Sequence, residues 1–282
     1  GPPAMRIEQR HATHPDALPG LHTADLRRHY LVEKLFAPDE VLLTMSHVER
    51  MVIGGALPVG KAVTLSAGSG LTTGAFLERR ELGIINIGGA GTVTVGGRSF
   101  ALQPQEGLYV PSGTPEGTFA SSDAAKPARY YLVSTPAHQA HELVHITLDK
   151  RMPMPMGAPA TSNQRVIYQY VHPQICRSAN LLLGLTSLET GSVWNTMPSH
   201  MHARRSEIYF YFNLPEDGRV FHFMGEPSET RHLVVANEQA VISPPWSIHT
   251  GCGTCSYSFI WAMGGENQDY KDMQPVPMGT LR

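Results

Sequence analysis

Apolar residues in this chain fall in short runs, alternating or continuous, closed off every few positions by glycine or proline. That pattern, rich in Val, Ile, Phe and Tyr between its breaks, predicts short strands rather than helices. Residues 83–87, residues 92–95 before the turn pair Gly96-Gly97, and residues 208–212 are examples. Helix is expected mainly near the N-terminus, where Thr23 is placed to cap residues 24–31. Between Met152 and Asn163 neither period appears and three prolines interrupt the run, so the segment reads as a linker. The expectation is an all-β chain with a short helical N-terminal segment and two units flanking residues 152–163.

The two units repeat one another. Residues 76–82 align with residues 200–208, sharing an Arg-Arg pair just before a Glu and an apolar strand, and residues 111–116 align with residues 244–249. A gene duplication is the simplest account.

Composition agrees with two packed cores. The 282 residues suit two domains, and 41% hydrophobic against 16% charged residues excludes disorder as the main state. Twenty-two Lys plus Arg against 24 Asp plus Glu give a net charge of -2, too little positive charge for a nucleic-acid partner. No apolar run is long enough for a bilayer, so no membrane partner is expected. Three cysteines make no disulfide framework and suit a reducing, cytoplasmic setting. Cys252 and Cys255 form a Cys-x-x-Cys without a second pair, which reads as buried thiols rather than a redox or zinc motif. Residues 1–4, ahead of Met5, read as an expression remnant. His138, His141 and His145 read as a solvated helix or strand edge.

Candidate chemistry lies in the second unit. On a strand, His200 and His202 project from one face. Glu207 follows at an odd offset, so residues 203–206 must turn or bulge to bring it to the same side. Glu207, Tyr209 and Tyr211 then alternate with Ile208, Phe210 and Phe212, giving one polar, hydroxyl-bearing face. His249 joins from beyond Pro244-Pro245, prolines that suit a strand start. Three neutral imidazoles and a carboxylate suit Zn, Mn, Fe or Ni with positions left open. Tyr209 and Tyr211 are candidates for substrate hydrogen bonding or proton relay, or else simply line a barrel. Arg165 and Arg177 are candidates to bind a substrate carboxylate, and Arg204 and Arg205 read as structural because Arg79 and Arg80 match them.

His-x-His-x4-Glu before an aromatic strand, with Pro-Pro-x-x-x-His some forty residues on, resembles the two motifs of the cupin superfamily. The resemblance implies a bicupin of two double-stranded, jelly-roll-like β-barrels. Its expected divisions are an N-terminal segment 5–50, a metal-free barrel 51–151, the linker 152–163 and a metal-binding barrel 164–282. In the first barrel Phe76, Glu78, Glu81 and Glu116 stand where the ligands would be, so it is expected to hold no metal.

Residues 198–225, and the segment Tyr270 to Pro277, more narrowly resemble the 5-keto-4-deoxyuronate isomerases (4-deoxy-L-threo-5-hexosulose-uronate ketol-isomerases) of pectin degradation. That resemblance implies zinc, the ligand set His200, His202, Glu207 and His249, a small keto-deoxyuronate substrate and a homohexamer. It also implies interconversion of 5-dehydro-4-deoxy-D-glucuronate with 3-deoxy-D-glycero-2,5-hexodiulosonate. The rival readings are an iron-dependent cupin oxygenase and a non-catalytic sugar-binding bicupin.

Overall fold

The computed structural model describes residues 5–67, 71, 74–266, 268–269 and 271–282. Residues 1–4, read as an expression remnant, and Tyr270 lie outside the described residues. The chain forms two compact units that interleave in sequence. The first takes Gly1–Arg10, Lys34–Arg151 and Tyr170–Leu182; the second takes His11–Glu33, Met152–Gln169 and Leu183–Arg282. Neither unit is thus the single contiguous stretch expected from the repeat, because each borrows strands from beyond its own barrel sequence.

In the first unit a seven-stranded sheet runs in the order Met5–Arg10, Val41–Ser46, Val52–Ala56, Tyr130–Pro136, Arg80–Asn86, Gly107–Val110, Val144–Ile146. A four-stranded sheet runs Val63–Leu65, Gly117–Ser121, Gly91–Val95, Arg98–Leu102. Alternation decides how they pack. Val41, Leu43, Leu82, Ile84 and Leu108 of the larger sheet share one buried cluster with Val63, Val93 and Phe119 of the smaller. Two sheets facing each other across a common core are a jelly-roll sandwich, and each aliphatic side chain so buried contributes about 1.5–3 kcal/mol. Gly96 and Gly97, both at positive φ (+55° and +75°), close the hairpin between Gly91–Val95 and Arg98–Leu102.

The second unit repeats the plan. Its seven-stranded sheet runs Met152–Met156, Arg165–Val171, Leu182–Leu188, Ser258–Gly265, Arg205–Phe212, Gln239–Ser243, Leu31–Val32, and its four-stranded sheet runs Trp194–Asn195, Thr250–Gly253, Val220–Met224, Arg231–Val235. A short ribbon pairs His200–Met201 with Gln274–Pro275. The helix spans Thr23–Tyr30 and buries Leu26 and Tyr30. His22, not Thr23, holds its cap position, and makes no side-chain cap bond.

Residues 152–163 are not a linker throughout. Met152–Met156 is an edge strand, paired antiparallel with the strand that begins at Arg165, Pro153 opposite Tyr168 and Pro155 opposite Val166. An edge strand needs only one side of its backbone for the ladder, so alternate prolines are tolerated there. The Pro244-Pro245 pair likewise follows the end of Gln239–Ser243 instead of starting a strand. His145 sits on the edge strand Val144–Ile146, and no helix forms across His138 to His145.

Strand register corrects one equivalence between the units. Leu82 pairs with Ser134 and Val110, and Glu207 pairs with Met263 and Ser243. Val110 and Ser243 each precede the prolines Pro111 and Pro244, so Leu82, not Glu81, stands where Glu207 stands. One residue of offset turns a side chain to the opposite face. Leu82 packs into the core, whereas Glu81 accepts the backbone N–H groups of Ala179, Asn180 and Leu181 at 2.8 Å each and the Tyr109 hydroxyl at 2.5 Å. Phe76 is core, and Glu78 and Glu116 are exposed.

Candidate metal centre

His200 reaches the centre from the short ribbon, and His202 follows in the turn that ends it. The Arg205 N–H donates to the His202 carbonyl at 3.2 Å, closing that turn and starting the strand Arg205–Phe212 two residues before Glu207. This is the reversal that the odd spacing demands. His249 arrives from the loop after Pro244-Pro245, on entry to Thr250–Gly253. One ligand atom from each of the four residues lies within 4.8 Å of the others.

Two of the three nearest contacts share Glu207 Oε2. Glu207 Oε2 lies 2.8 Å from His249 Nε2 and 3.2 Å from His202 Nε2, and His249 Nε2 lies 3.3 Å from His200 Nε2. The outer ring nitrogens are already committed. His202 Nδ1 lies 3.1 Å from the Asp272 carbonyl, and His249 Nδ1 lies 3.2 Å from Ser243 Oγ. Glu207 Oε2 is buried without a hydrogen-bond partner, and a carboxylate oxygen so placed among imidazole nitrogens calls for a cation. Donors about 2.0–2.1 Å from one ion are separated by about 2.9–3.4 Å at ordinary coordination angles, close to the 2.8, 3.2 and 3.3 Å of the three nearest contacts. The residues fit a divalent metal.

Burial sharpens the electrostatics. Desolvation would raise the Glu207 carboxyl, but the adjacent His249 and His202 outweigh it and hold the group below the ordinary carboxylate range. Burial, then the neighbouring His249, pushes His200 down to about 3. The Arg205 guanidinium, only 1% exposed, donates to the Asp272 carbonyl at 3.3 Å and lies 3.1 Å from His202 Nδ1, which fixes that ring from behind. Arg80, its counterpart by register, is also buried and donates to Ser134 and to the Arg50 carbonyl.

A cavity of about 450 Å³ opens on the cluster. Its polar wall includes Asn163, Arg165, Thr186, Thr196 and Tyr209; its apolar wall is built from methionines, Phe259 and Trp261. Arg165 is half-buried and donates to the Asn163 carbonyl at 2.9 Å; burial lowers its pKa and the neighbouring Tyr209 opposes that. Tyr209 reaches Thr196 Oγ1 at 2.8 Å.

Two expected site residues are not brought to this cavity. Tyr211 shares the face of Glu207 but lies deeper, fully buried, with its hydroxyl 2.7 Å from His222 Nδ1. Arg177 is exposed in the first unit and lines a separate pocket there with His141, Glu142 and Cys176. Cys252 and Cys255, expected as buried thiols, form no disulfide and are partly exposed, and only Cys176 is buried. Sequence reasoning missed Thr196 and the methionine wall. Alternation in Met152-Pro-Met-Pro-Met156 was the available signal for the latter, since it sends Met154 and Met156 to one side of a strand.

The KduI/IolB family profile matches residues 30–276. The chain belongs to the KduI/IolB family. A 4-deoxy-L-threo-5-hexosulose-uronate ketol-isomerase 2 of Enterococcus faecalis is 50% identical over 276 residues, 98% of this chain and 100% of that one. The corresponding ketol-isomerase of Bacillus pumilus is 50% identical over the same length, again 98% and 100%. With relatives this similar along the whole chain, this KduI/IolB protein is an isomerase. Among solved structures, an IolB-like protein from Salmonella typhimurium gives a TM-score of 0.67 at 16% identity, covering 80% of this chain and 87% of that one. Bacillus subtilis oxalate decarboxylase, described with Mn(II) centres, gives 0.53 at 12%, covering 80% and 71%. These likenesses establish the all-β cupin fold. No helix among the described residues is long and apolar enough to cross a membrane.

Proposed function

We propose that this protein is a metal-dependent uronate ketol-isomerase that converts 4-deoxy-L-threo-5-hexosulose uronate into 3-deoxy-D-glycero-2,5-hexodiulosonate during pectin breakdown. The observation that carries the reading is a buried His3Glu cluster opening on a cavity that also presents an arginine and a phenol. The relatives' names supply the substrate.

The reaction moves one proton from the carbon bearing a hydroxyl to the neighbouring aldehyde carbon, and a second between the two oxygens. A divalent ion held by His200, His202, Glu207 and His249, zinc by family resemblance, would supply Lewis acidity to stabilise the enediolate charge. Arg165 meets the substrate carboxylate with the guanidinium donors it does not spend on Asn163, which orients the chain of carbons in the cavity. Tyr209, on the strand of Glu207, offers its phenol to the reacting oxygens. Met154, Met156, Phe259 and Trp261 exclude water from the charged intermediate. The first barrel holds no metal in this scheme, since Leu82 occupies the place of Glu207, and the chain works as a cytoplasmic homohexamer.

Turnover in deuterated water tests the chemistry. Deuterium on the former aldehyde carbon supports the enediolate route, whereas label-free product would replace it with a direct hydride shift. Oxygen uptake during turnover would favour an oxygenase instead.

A further inference from the structure

Thr196 stands on the cavity wall with φ of +58°. Left-handed backbone is costly for a β-branched side chain, and among the described residues no other β-branched residue adopts it. Strain of this kind persists where the surroundings over-determine a conformation, and it gathers at functional sites.

The surroundings here are a buried hydrogen-bonded chain. The Tyr257 hydroxyl donates to Asn195 Oδ1, and both residues are buried. Asn195 Nδ2 donates to Thr196 Oγ1 at 3.1 Å, and Thr196 Oγ1 lies 2.8 Å from the Tyr209 hydroxyl. Asn195 cannot drift: it pairs with Gly251 across the sheet, and its carbonyl accepts the Thr250 hydroxyl at 2.8 Å. With one lone pair of Thr196 Oγ1 taken by Asn195, its hydrogen and its second lone pair remain for the Tyr209 hydroxyl. The Tyr209 ring in turn packs edge-on against His249, with centroids 5.2 Å apart. Thr196 thus links a rigid strand to Tyr209, the phenol that lines the cavity beside the metal cluster among the described residues.

We infer that Thr196 is a positioning residue for the isomerisation, its strained backbone holding the hydroxyl that aims Tyr209 at the substrate oxygens. The inference rests on the role given to Tyr209 under the proposed function. It assigns Asn195 and Tyr257 the lesser task of anchoring Thr196.

The test is steady-state kinetics and melting temperature for Thr196→Val, Thr196→Ser, Thr196→Gly, Tyr209→Phe and the Thr196→Val/Tyr209→Phe double variant. Loss of one orienting hydrogen bond predicts that Thr196→Val lowers kcat about tenfold or more with KM within about twofold. Thr196→Ser should retain kcat within about threefold. Thr196→Gly, freed of the strain, should melt no lower than the wild type while losing kcat as the valine variant does. The double variant should be no slower than Tyr209→Phe alone, since both act through one group. Wild-type kcat in Thr196→Val alongside an impaired Tyr209→Phe would overturn the inference and leave Tyr209 in place. Wild-type kcat in Tyr209→Phe would overturn the role of Tyr209, and this inference with it.

Discussion

Acid should destabilise the second unit through a histidine that binds no metal. His222 is fully buried between the sheets, its Nδ1 2.7 Å from the Tyr211 hydroxyl, and burial pushes its pKa from 6.5 down to about 3. The folded chain therefore keeps it neutral at pH values where the unfolded chain protonates it. Between about pH 6.5 and 3 the unfolded state binds the extra proton, so stability falls as pH falls through that window. For one such group the loss between pH 7.5 and 5 is about 2 kcal/mol. Substitution His222→Gln keeps a polar partner for Tyr211 and removes the titration. The assay is urea unfolding followed by tryptophan fluorescence at both pH values, with chelator present so that metal affinity does not enter. Wild type should lose about 2 kcal/mol more than His222→Gln over that interval. Equal losses in the two proteins would refute the reasoning, because they would mean that His222 titrates alike folded and unfolded.

Three further outcomes follow from single contacts. Arg165→Met should raise KM for the uronate about ten- to a hundredfold with a smaller change in kcat, measured by steady-state kinetics, because a charged hydrogen bond is lost in ground and transition state alike. Gly184→Ala should cost about 1–3 kcal/mol in urea unfolding, since an added Cβ would lie 2.0 Å from the Trp261 ring and force a cavity wall to move. Glu81→Ala should destabilise the first unit by about 3–5 kcal/mol and open residues 179–181 to proteolysis, because three backbone N–H groups and the Tyr109 hydroxyl lose their acceptor in the interior.

The parts of this structure legible in the sequence are those set by local period and by chemistry that few residues can perform. Alternation from Glu207 to Phe212 gave both the strand and its inward face, and the odd step from His202 to Glu207 demanded the turn that Arg205 closes. What escaped was set by pairing across long separations. Met152–Met156 looks like a loop by composition, and only its partner strand makes it an edge. Glu81 aligns with Glu207 by eye, yet the pairing of Leu82 with Val110 moves the equivalence by one residue and turns the carboxylate away from the barrel. Tyr209 and Tyr211 share a face, but depth within the barrel divides them, and depth depends on His222 from another sheet. Arg177 belongs to the first unit because the chain crosses between units near residues 169 and 182, a path no periodicity records.

The central claim is that His200, His202, Glu207 and His249 hold one catalytic divalent ion. It is tested most directly by counting metal atoms per chain with plasma mass spectrometry while uronate isomerisation is assayed on the same samples. The account predicts close to one ion per chain in the wild type, activity that rises in proportion to occupancy as chelated protein is refilled, and neither metal nor turnover in a folded His200→Ala/His249→Ala variant. Full isomerase activity in protein stripped of metal, or one ion per chain retained by that variant, would contradict it.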